Sequence, residues 1–313
     1  MRDVRVGVVG ATGAVGEVAL ELLAQRGFQN VRAFASPRSA GREIPFGETE
    51  LIVEEATPES LRSGLDLCFF SVGTTASREL VPEAAAGGAV CVDKSSAYRL
   101  AEGVPLVVPE VNGDRALAHG GIVANPNCST IQLVCLLKPL HEAAGLARVR
   151  VSTYQSASGA GLSAMERLRA QPSADGNVSG DWEVEADEYD EEVKLRAEAR
   201  KILELPELPF SATCARVPVL VGHSQAIWVE TEEPLEPDEA REVLAAAPSV
   251  RVTDRPTPRD AVGGDDVLVG RIRRDTAGEG LVLWAVCDNL RKGAALNAVQ
   301  IAELLLARQA LAA

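Results

Sequence analysis

The chain has 313 residues, with 45 acidic and 31 basic side chains and a formal net charge of -14. At the usual ~100–200 residues per domain it is long enough for about two domains, and 46% hydrophobic with 24% charged residues excludes a disordered chain, a collagen or a small disulfide-stapled scaffold. So acidic a chain, with no run of Lys and Arg, is expected to bind neither nucleic acid nor a membrane surface. No apolar run reaches the ~18 residues of a membrane span. The opening MRDVRVGVVG lacks the layout of a signal peptide, so the cytoplasm is the expected compartment.

Residues 4–9 (VRVGVV) read as a buried strand, followed by a Gly-rich turn and an apolar-periodic helix over 14–26. Further strands are expected at 31–36, 65–72, 89–93 and 121–124, with helical segments at 58–63 and 75–86 between them. Strand alternating with helix argues for a mostly parallel sheet covered on both faces. A helix over 129–142 begins after Asn125-Pro126-Asn127-Cys128. Beyond residue 147 the pattern changes to longer strands at 148–156, 211–219, 224–232, 266–273 and 280–287, which suggests a second, α+β domain on a largely antiparallel sheet. The acidic stretch 171–190 reads as a surface connection into a helix over 189–203, the segment 253–265 as a loop, and 291–309 as a last amphipathic helix.

Gly10-Ala11-Thr12-Gly13-Ala14-Val15-Gly16 stands between a strand and a helix, the context a dinucleotide-binding turn requires. Glycines let the backbone approach a pyrophosphate, and the helix N-terminus presents free N–H groups. The second strand runs into Ser36-Pro37-Arg38-Ser39, with an Arg between hydroxyls and no acidic residue, which favours NADP over NAD.

Cys128 lies at a strand-to-helix junction, where a thiolate is stabilised by the helix dipole and unpaired N–H groups. A cysteine nucleophile needs a base. His223, between two apolar strands, is the best placed of His119, His141 and His223. Cys68, Cys91 and Cys214 read as buried thiols, and Cys135 as core. With no C-x-x-C pair and no ligand spacing among the histidines, no metal site is expected.

These pieces together resemble the aspartate-β-semialdehyde dehydrogenase family over nearly the whole chain. The resemblance rests on GATGAVG at 10–16, ASPRSAG at 35–41, DKSSAYR at 93–99, VPLVVPEVN at 104–112 and NPNCST at 125–130. It continues through TYQSASGAG at 153–161, ARVPVLVGHS at 215–224 and DNLRKGAALNAVQIAE at 288–303. It implies a Rossmann-like NADP-binding domain over 1–127, completed by a C-terminal helix at 291–313, and a catalytic and dimerisation domain over 128–290. The implied reaction is the reversible, NADPH-dependent conversion of L-4-aspartyl phosphate to aspartate semialdehyde and phosphate through a cysteine thioester. It belongs to the biosynthesis of lysine, threonine, methionine and isoleucine.

By the same resemblance Cys128 is the nucleophile, His223 the acid/base and Gln155 the residue orienting the reacting group. Arg216 binds the substrate carboxylate and Glu191 faces its ammonium, while Arg99, Asn127 and Lys194 form a phosphate site. Cofactor contacts fall on Gly10, Thr12, Gly13, Ala14, Val15, Ser36, Arg38, Ser39, Gly73, Ser158, Gly159 and Asn289. A homodimer or a dimer of dimers is the implied assembly. Glu191 and Lys194, three apart on one helix, share a face and read by themselves as a surface ion pair. N-acetyl-γ-glutamyl-phosphate reductase and a non-catalytic NADP-binding relative are the alternatives. The former has its nucleophile in a Pro-Gly-Cys-Tyr setting, unlike Pro126-Asn127-Cys128-Ser129. Three departures stand out: Lys94 where the family has Asn, a stretch between Met165 and Glu191 shorter than the family's, and a loop at 254–265 that also looks shortened.

Overall fold

A computed structural model describes residues 3–62, 64–171 and 182–311, which fall into two units. One runs to Pro126 and resumes at Ala294; the other spans Asn127–Gly293. The first opens with β1 (Arg5–Val9), α1 (Ala14–Gln25), β2 (Asn30–Ala35), β3 (Glu43–Phe46), β4 (Thr49–Glu55), α2 (Pro58–Leu61) and β5 (Leu67–Phe70). It continues with α3 (Thr74–Ala86), β6 (Val90–Asp93), α4 (Pro109–Asn112) and β7 (Ile122–Ala124). The sheet order is β3-β4-β2-β1-β5-β6-β7, and every pair is parallel except β3–β4. The order reverses between β1 and β5, so the sheet is doubly wound, with its ligand crevice at the carboxyl end of β1. Val6, Val8 and Val9 are wholly buried, as a strand covered on both faces must be. Nothing in the hydrophobic pattern announces the hairpin β3–β4: it is an edge, its residues are largely exposed, and Pro45 interrupts it.

The turn after β1 is built by backbone. Gly10 takes φ +84°, and its N–H and that of Ala11 donate to the Phe34 carbonyl at 2.8 and 3.1 Å. The Gly13 N–H returns to the Gly10 carbonyl at 3.0 Å. Gly16, one helical turn on, packs so tightly that a Cβ there would lie 2.1 Å from the Gly10 oxygen.

The second unit contains α5 (Cys128–Ala144), β8 (Leu146–Gln155), α6 (Leu162–Ala170), β9 (Val184–Glu185), β10 (Glu188–Tyr189), α7 (Asp190–Leu203) and β11 (Phe210–Arg216). There follow β12 (His223–Thr231), α8 (Pro237–Ala246), β13 (Val250–Val252), α9 (Pro258–Ala261), β14 (Val267–Arg274) and β15 (Leu281–Cys287). Its six-stranded sheet has the order β11-β8-β12-β15-β14-β13. The central pairings are antiparallel, and the edge pairs β11–β8 and β13–β14 are parallel. Of the acidic stretch 171–190 read as a surface connection, 172–181 lies outside the described residues.

Register decides what the second unit can do. Arg216 pairs with Gln155, and His223 with Cys287, so one end of the sheet gathers Gln155, Arg216 and His223. β8 alternates strictly from Val149 to Gln155, with Val149, Val151, Thr153 and Gln155 inward and Arg150 and Tyr154 outward. On the inward face lies α5, apolar nearly all round and buried along most of its length.

The chain returns to the first unit through a π-helical turn at Arg291–Ala295 and then α10 (Leu296–Ala307). The sequence pattern reads this as one continuous helix. Two features break its start: Asp288 Oδ1 accepts the N–H groups of Leu290 and Arg291, and Gly293 lies against Cys128. Val299, Ile301, Ala302 and Leu305 of α10 complete the core formed by Val6, Val8, Leu20 and Leu23.

The Gly10–Gly16 contact yields a stability prediction. Gly16→Ala forces backbone apart where no side chain can yield, and overpacking of this kind costs about 1–3 kcal/mol. Chemical denaturation should show that loss, whereas Gly73→Ala, where an added Cβ meets nothing within 4 Å, should cost less.

Candidate active site

Cys128 is the first residue of α5 and Asn127 its N-cap. Asn127 is fixed three ways. Its Oδ1 accepts the Ser129 N–H at 2.8 Å, its Nδ2 donates to Glu191 Oε1 at 2.9 Å, and its backbone N–H donates to Glu198 Oε2 at 2.7 Å. A Cβ on Gly293 would lie 3.1 Å from the Cys128 Cβ, so Cys128 has little room to shift on that side. Cys128 is half-buried, while Cys68, Cys91, Cys135, Cys214 and Cys287 are buried. Burial pushes the Cys214 thiol up to about 12 and the Cys68, Cys91 and Cys287 thiols well above the ordinary range.

Glu191 Oε1 also accepts Gln155 Nε2, at 3.0 Å, so one carboxylate oxygen orients both amides. Arg216 Nη1 donates to the Ser156 carbonyl at 2.9 Å, and its guanidinium lies 4.8 Å from the centroid of the Trp182 ring. His223 is completely buried. Its Nδ1 faces the Ser156 N–H at 3.1 Å and Ser156 Oγ at 3.0 Å, and Nε2 has no partner among the described residues. Burial, and then the Arg216 charge, push its pKa well below the usual histidine value. Ser158 and Asn289 are buried in the same network, with Asn289 Nδ2 donating to Ser158 Oγ at 2.9 Å. Gly159 packs beside the ring: a Cβ would lie 3.0 Å from His223 Cε1 and 2.9 Å from Arg216 Nη1.

One expectation is corrected. Glu191 does not pair with Lys194 at the surface: it is buried under Asn127 and Gln155, and Lys194 pairs with Asp190 one turn away. Helix geometry allows both partners, and the inward turn of Glu191 decides between them.

In the first unit, α1 and α3 start at Gly13 and Gly73, neither of which supplies a capping side chain. Their first N–H groups therefore suit an anion. Thr12 Oγ1 is 3.5 Å from Ser39 Oγ, which joins the turn at Gly10 to the exposed Ser36–Arg38 corner. This glycine cradle with an arginine beside it fits a dinucleotide with a 2′-phosphate. Arg99, buried, donates from Nε to the Asn125 carbonyl at 3.1 Å and from Nη2 to that of Lys94 at 2.5 Å. Lys94 belongs to a turn ordered by buried Asp93, which accepts Ser77 Oγ at 2.7 Å and Ser95 Oγ at 2.6 Å.

Four residues of the second unit's site escaped the sequence reading. Glu198 and Glu192 occupy inward positions of α7, and Glu192 Oε1 accepts the Cys214 N–H at 2.8 Å. Ser156 contacts His223, and Trp182 lies over Arg216. The signal for the glutamates is spacing: Glu191, Leu195, Glu198 and Ile202 repeat at helical intervals with apolar neighbours.

A doubly wound dinucleotide-binding unit and a largely antiparallel unit that carries a half-buried cysteine at a helix N-terminus and a buried histidine at the end of its sheet fit a dehydrogenase working through a covalent cysteine. The model of the semialdehyde dehydrogenase NAD binding domain matches residues 5–119, and that of the semialdehyde dehydrogenase dimerisation domain matches 137–188 and 178–292. The aspartate-semialdehyde dehydrogenase of Corynebacterium glutamicum is 46% identical over 340 aligned positions covering 96% of this chain and 98% of that one. The structure of aspartate semialdehyde dehydrogenase II from Vibrio cholerae, complexed with ASA, has a TM-score of 0.94 at 37% identity, covering 98% of this chain and 99% of that one. The Candida albicans enzyme with NADP has a TM-score of 0.81 at 27% identity, covering 98% and 99%. The chain belongs to the aspartate-semialdehyde dehydrogenase family.

The burial contrast among the cysteines makes a prediction. Iodoacetamide on the native protein should add a single carbamidomethyl group, located at Cys128 by mass spectrometry, and none in Cys128→Ser. A second rapid adduct would show that another cysteine is accessible.

Proposed function

We propose that the chain is an NADP-dependent aspartate-semialdehyde dehydrogenase that interconverts aspartyl phosphate and aspartate semialdehyde through a thioester on Cys128. The observation that carries this reading is Cys128 at the start of α5, with Asn127, Gln155, Glu191, Arg216 and His223 brought to the same end of one sheet. The thiolate attacks the carbonyl carbon of the acyl phosphate, and phosphate leaves. Bound NADPH supplies a hydride, which makes the final product an aldehyde. Return of the electron pair to sulfur expels Cys128 and frees the semialdehyde.

Each residue has a matching task. Arg216 offers a fork to the planar substrate carboxylate and is held by Ser156 and Trp182. Glu191 supplies the negative charge that a free ammonium seeks, which an acylated amine lacks. Gln155 Nε2 is taken by Glu191, so its carbonyl end is the one left to orient the reacting group. Asn127 and Lys194 in the second unit, and Arg99 in the first, are the residues assigned to phosphate. The dinucleotide is assigned to the Gly10–Val15 turn, with Arg38 and Ser39 on its 2′-phosphate and the open N-terminus of α3 at Gly73, which follows the Ser71 and Val72 that pack against Gly10. The functional division follows the two units: NADP on the first, covalent chemistry on the second.

The same reading gives the outer face of the second sheet to a second copy of the chain. Tyr154 and Trp284 stack there at 5.6 Å beside Trp228, on the face opposite α5. That aromatic cluster, with Arg150 beside Trp228, lies inside the region matched by the dimerisation domain.

The test is NADPH formation from aspartate semialdehyde, NADP and phosphate, followed by absorbance. Activity should require phosphate and vanish in Cys128→Ala. Well-folded protein that binds NADP and shows no turnover would defeat the reading. For cofactor choice, Arg38→Ala should raise the Michaelis constant for NADPH by about 10- to 100-fold, the worth of one charge-assisted contact, and leave that for NADH nearly unchanged. Equal losses would remove Arg38 from the 2′-phosphate.

A further inference from the structure

We propose that Ser156 and Asn289 lock His223 as its Nε2–H tautomer, so that His223 serves the reaction at Cys128 as a hydrogen-bond donor to the reacting oxygen and not as the base that takes the thiol proton. The proposal rests on the thioester reading above. It makes Ser156 and Asn289 positioning residues, acting through His223.

Two backbone N–H groups beside the histidine have fixed directions. Gly222 N–H points at Asn289 Oδ1 at 2.9 Å, which settles which end of that amide is the oxygen. Asn289 Oδ1 also lies 2.9 Å from Ser156 Oγ and 3.1 Å from Ser158 Oγ, while Nδ2 donates to Ser158 Oγ. The Ser156 hydroxyl therefore has an acceptor for its proton that is not the histidine. The Ser156 backbone N–H is directed at His223 Nδ1 at 3.1 Å. A proton on Nδ1 would set two hydrogens against each other in that gap. Nδ1 thus carries the lone pair, and the one proton of a neutral ring is on Nε2.

The other side of the ring supports the same assignment. Nε2 is buried with no partner among the described residues, and Gly159 keeps the space before it: a Cβ there would lie 3.1 Å from Nε2. The groups facing the ring do not favour a second proton. Arg216, from β11, is a cation, and Cys287, its register partner on β15, is a buried thiol held protonated. Asp288 has its carboxylate on the N–H groups of Leu290, Arg291 and Gly263. Among the described residues no carboxylate is bonded to either ring nitrogen.

The chemistry balances without a base at the histidine. A thiolate adds to the aldehyde carbon, and the carbonyl π pair moves onto oxygen, where Nε2–H can bond to it. Loss of hydride from that carbon then returns the pair and re-forms the carbonyl as a thioester. No proton passes to or from the substrate oxygen. The one proton removed is that of the thiol, and it leaves to water before addition.

The test uses the whole protein, labelled with 15N-histidine. Three histidines give few signals, and His223→Gln assigns the one of interest. The expected result is an unprotonated Nδ1 and a protonated Nε2 that do not titrate from about pH 5 to 8. Asn289→Asp, which adds a carboxylate to the network, should bring the titration into that window. The pH profile of Cys128 alkylation should keep its midpoint in His223→Gln. A protonated Nδ1, an imidazolium in the resting protein, or a midpoint raised by about one unit or more, as loss of a thiolate–imidazolium partner would cause, overturns the proposal. The wild-type spectrum decides even if a variant fails to fold. Absent turnover with aspartate semialdehyde would strike the thioester reading instead, so the two failures are distinguishable.

Discussion

The second unit depends on what holds Asn127. One asparagine caps α5 through Oδ1 and ties it to α7 through Nδ2 and its backbone N–H. Each bond satisfies a group that would otherwise be buried without a partner, at a cost of about 1–3 kcal/mol apiece. The acceptors on α7, Glu191 and Glu198, are themselves buried and in turn need those donors. The join between the two helices is therefore mutual. Because Glu191 Oε1 also takes the Gln155 amide, the end of β8 is tied to the same point. Cys128, one residue along, inherits its position from this junction.

That arrangement creates an electrostatic problem and answers it locally. Two carboxylates stand behind Cys128, which on the proposed reading carries negative charge, in a chain already at -14, and the proposed substrate and phosphate are anions too. N–H donors of Asn127 and Gln155 occupy the oxygens, so their field is partly cancelled at its source. Arg216 provides the opposing charge. Its named partners, the Ser156 carbonyl and the Trp182 ring, orient it without neutralising it. Lys194 differs, because Asp190 already shares its charge, and the phosphate proposed to bind there would have to compete for it.

Legibility in the sequence follows from where each signal lives. The parallel sheet, the glycine turn and the long strands of the second sheet are set by local pattern, and their elements lie within a few residues of expectation. Edges are poorly legible: β3 and β13 are short, β4 is largely exposed, and nothing in their alternation separates them from loop. At the site, Cys128, Gln155, Arg216 and His223 stand out by motif. Ser156 does not, since it acts mainly through its backbone N–H and carbonyl, which every residue possesses. Glu192 and Glu198 are hidden for another reason. A carboxylate on a helix reads as solvent-facing until its acceptor role in the interior is known, and those donors come from residues 22 and 71 positions away in the chain.

The shortened segment before α7 has a limited effect on this site, and the reason is geometric. The alignment with the Corynebacterium enzyme runs to 340 positions, more than this chain's 313 residues, so that relative has segments this chain lacks. The dimerisation-domain match falls in two stretches that overlap at 178–188. Within that overlap, Trp182 lies over Arg216 and 5.7 Å from Tyr189. Tyr189 N–H donates to Glu192 Oε2 at 2.8 Å and closes the first turn of α7. The residues entering the helix thus anchor themselves on Arg216 and on the helix's own carboxylate, and α7 can present Glu191 and Glu198 without support from a longer connection. Any consequence of the missing length falls on contacts made by that connection rather than on the Asn127 junction.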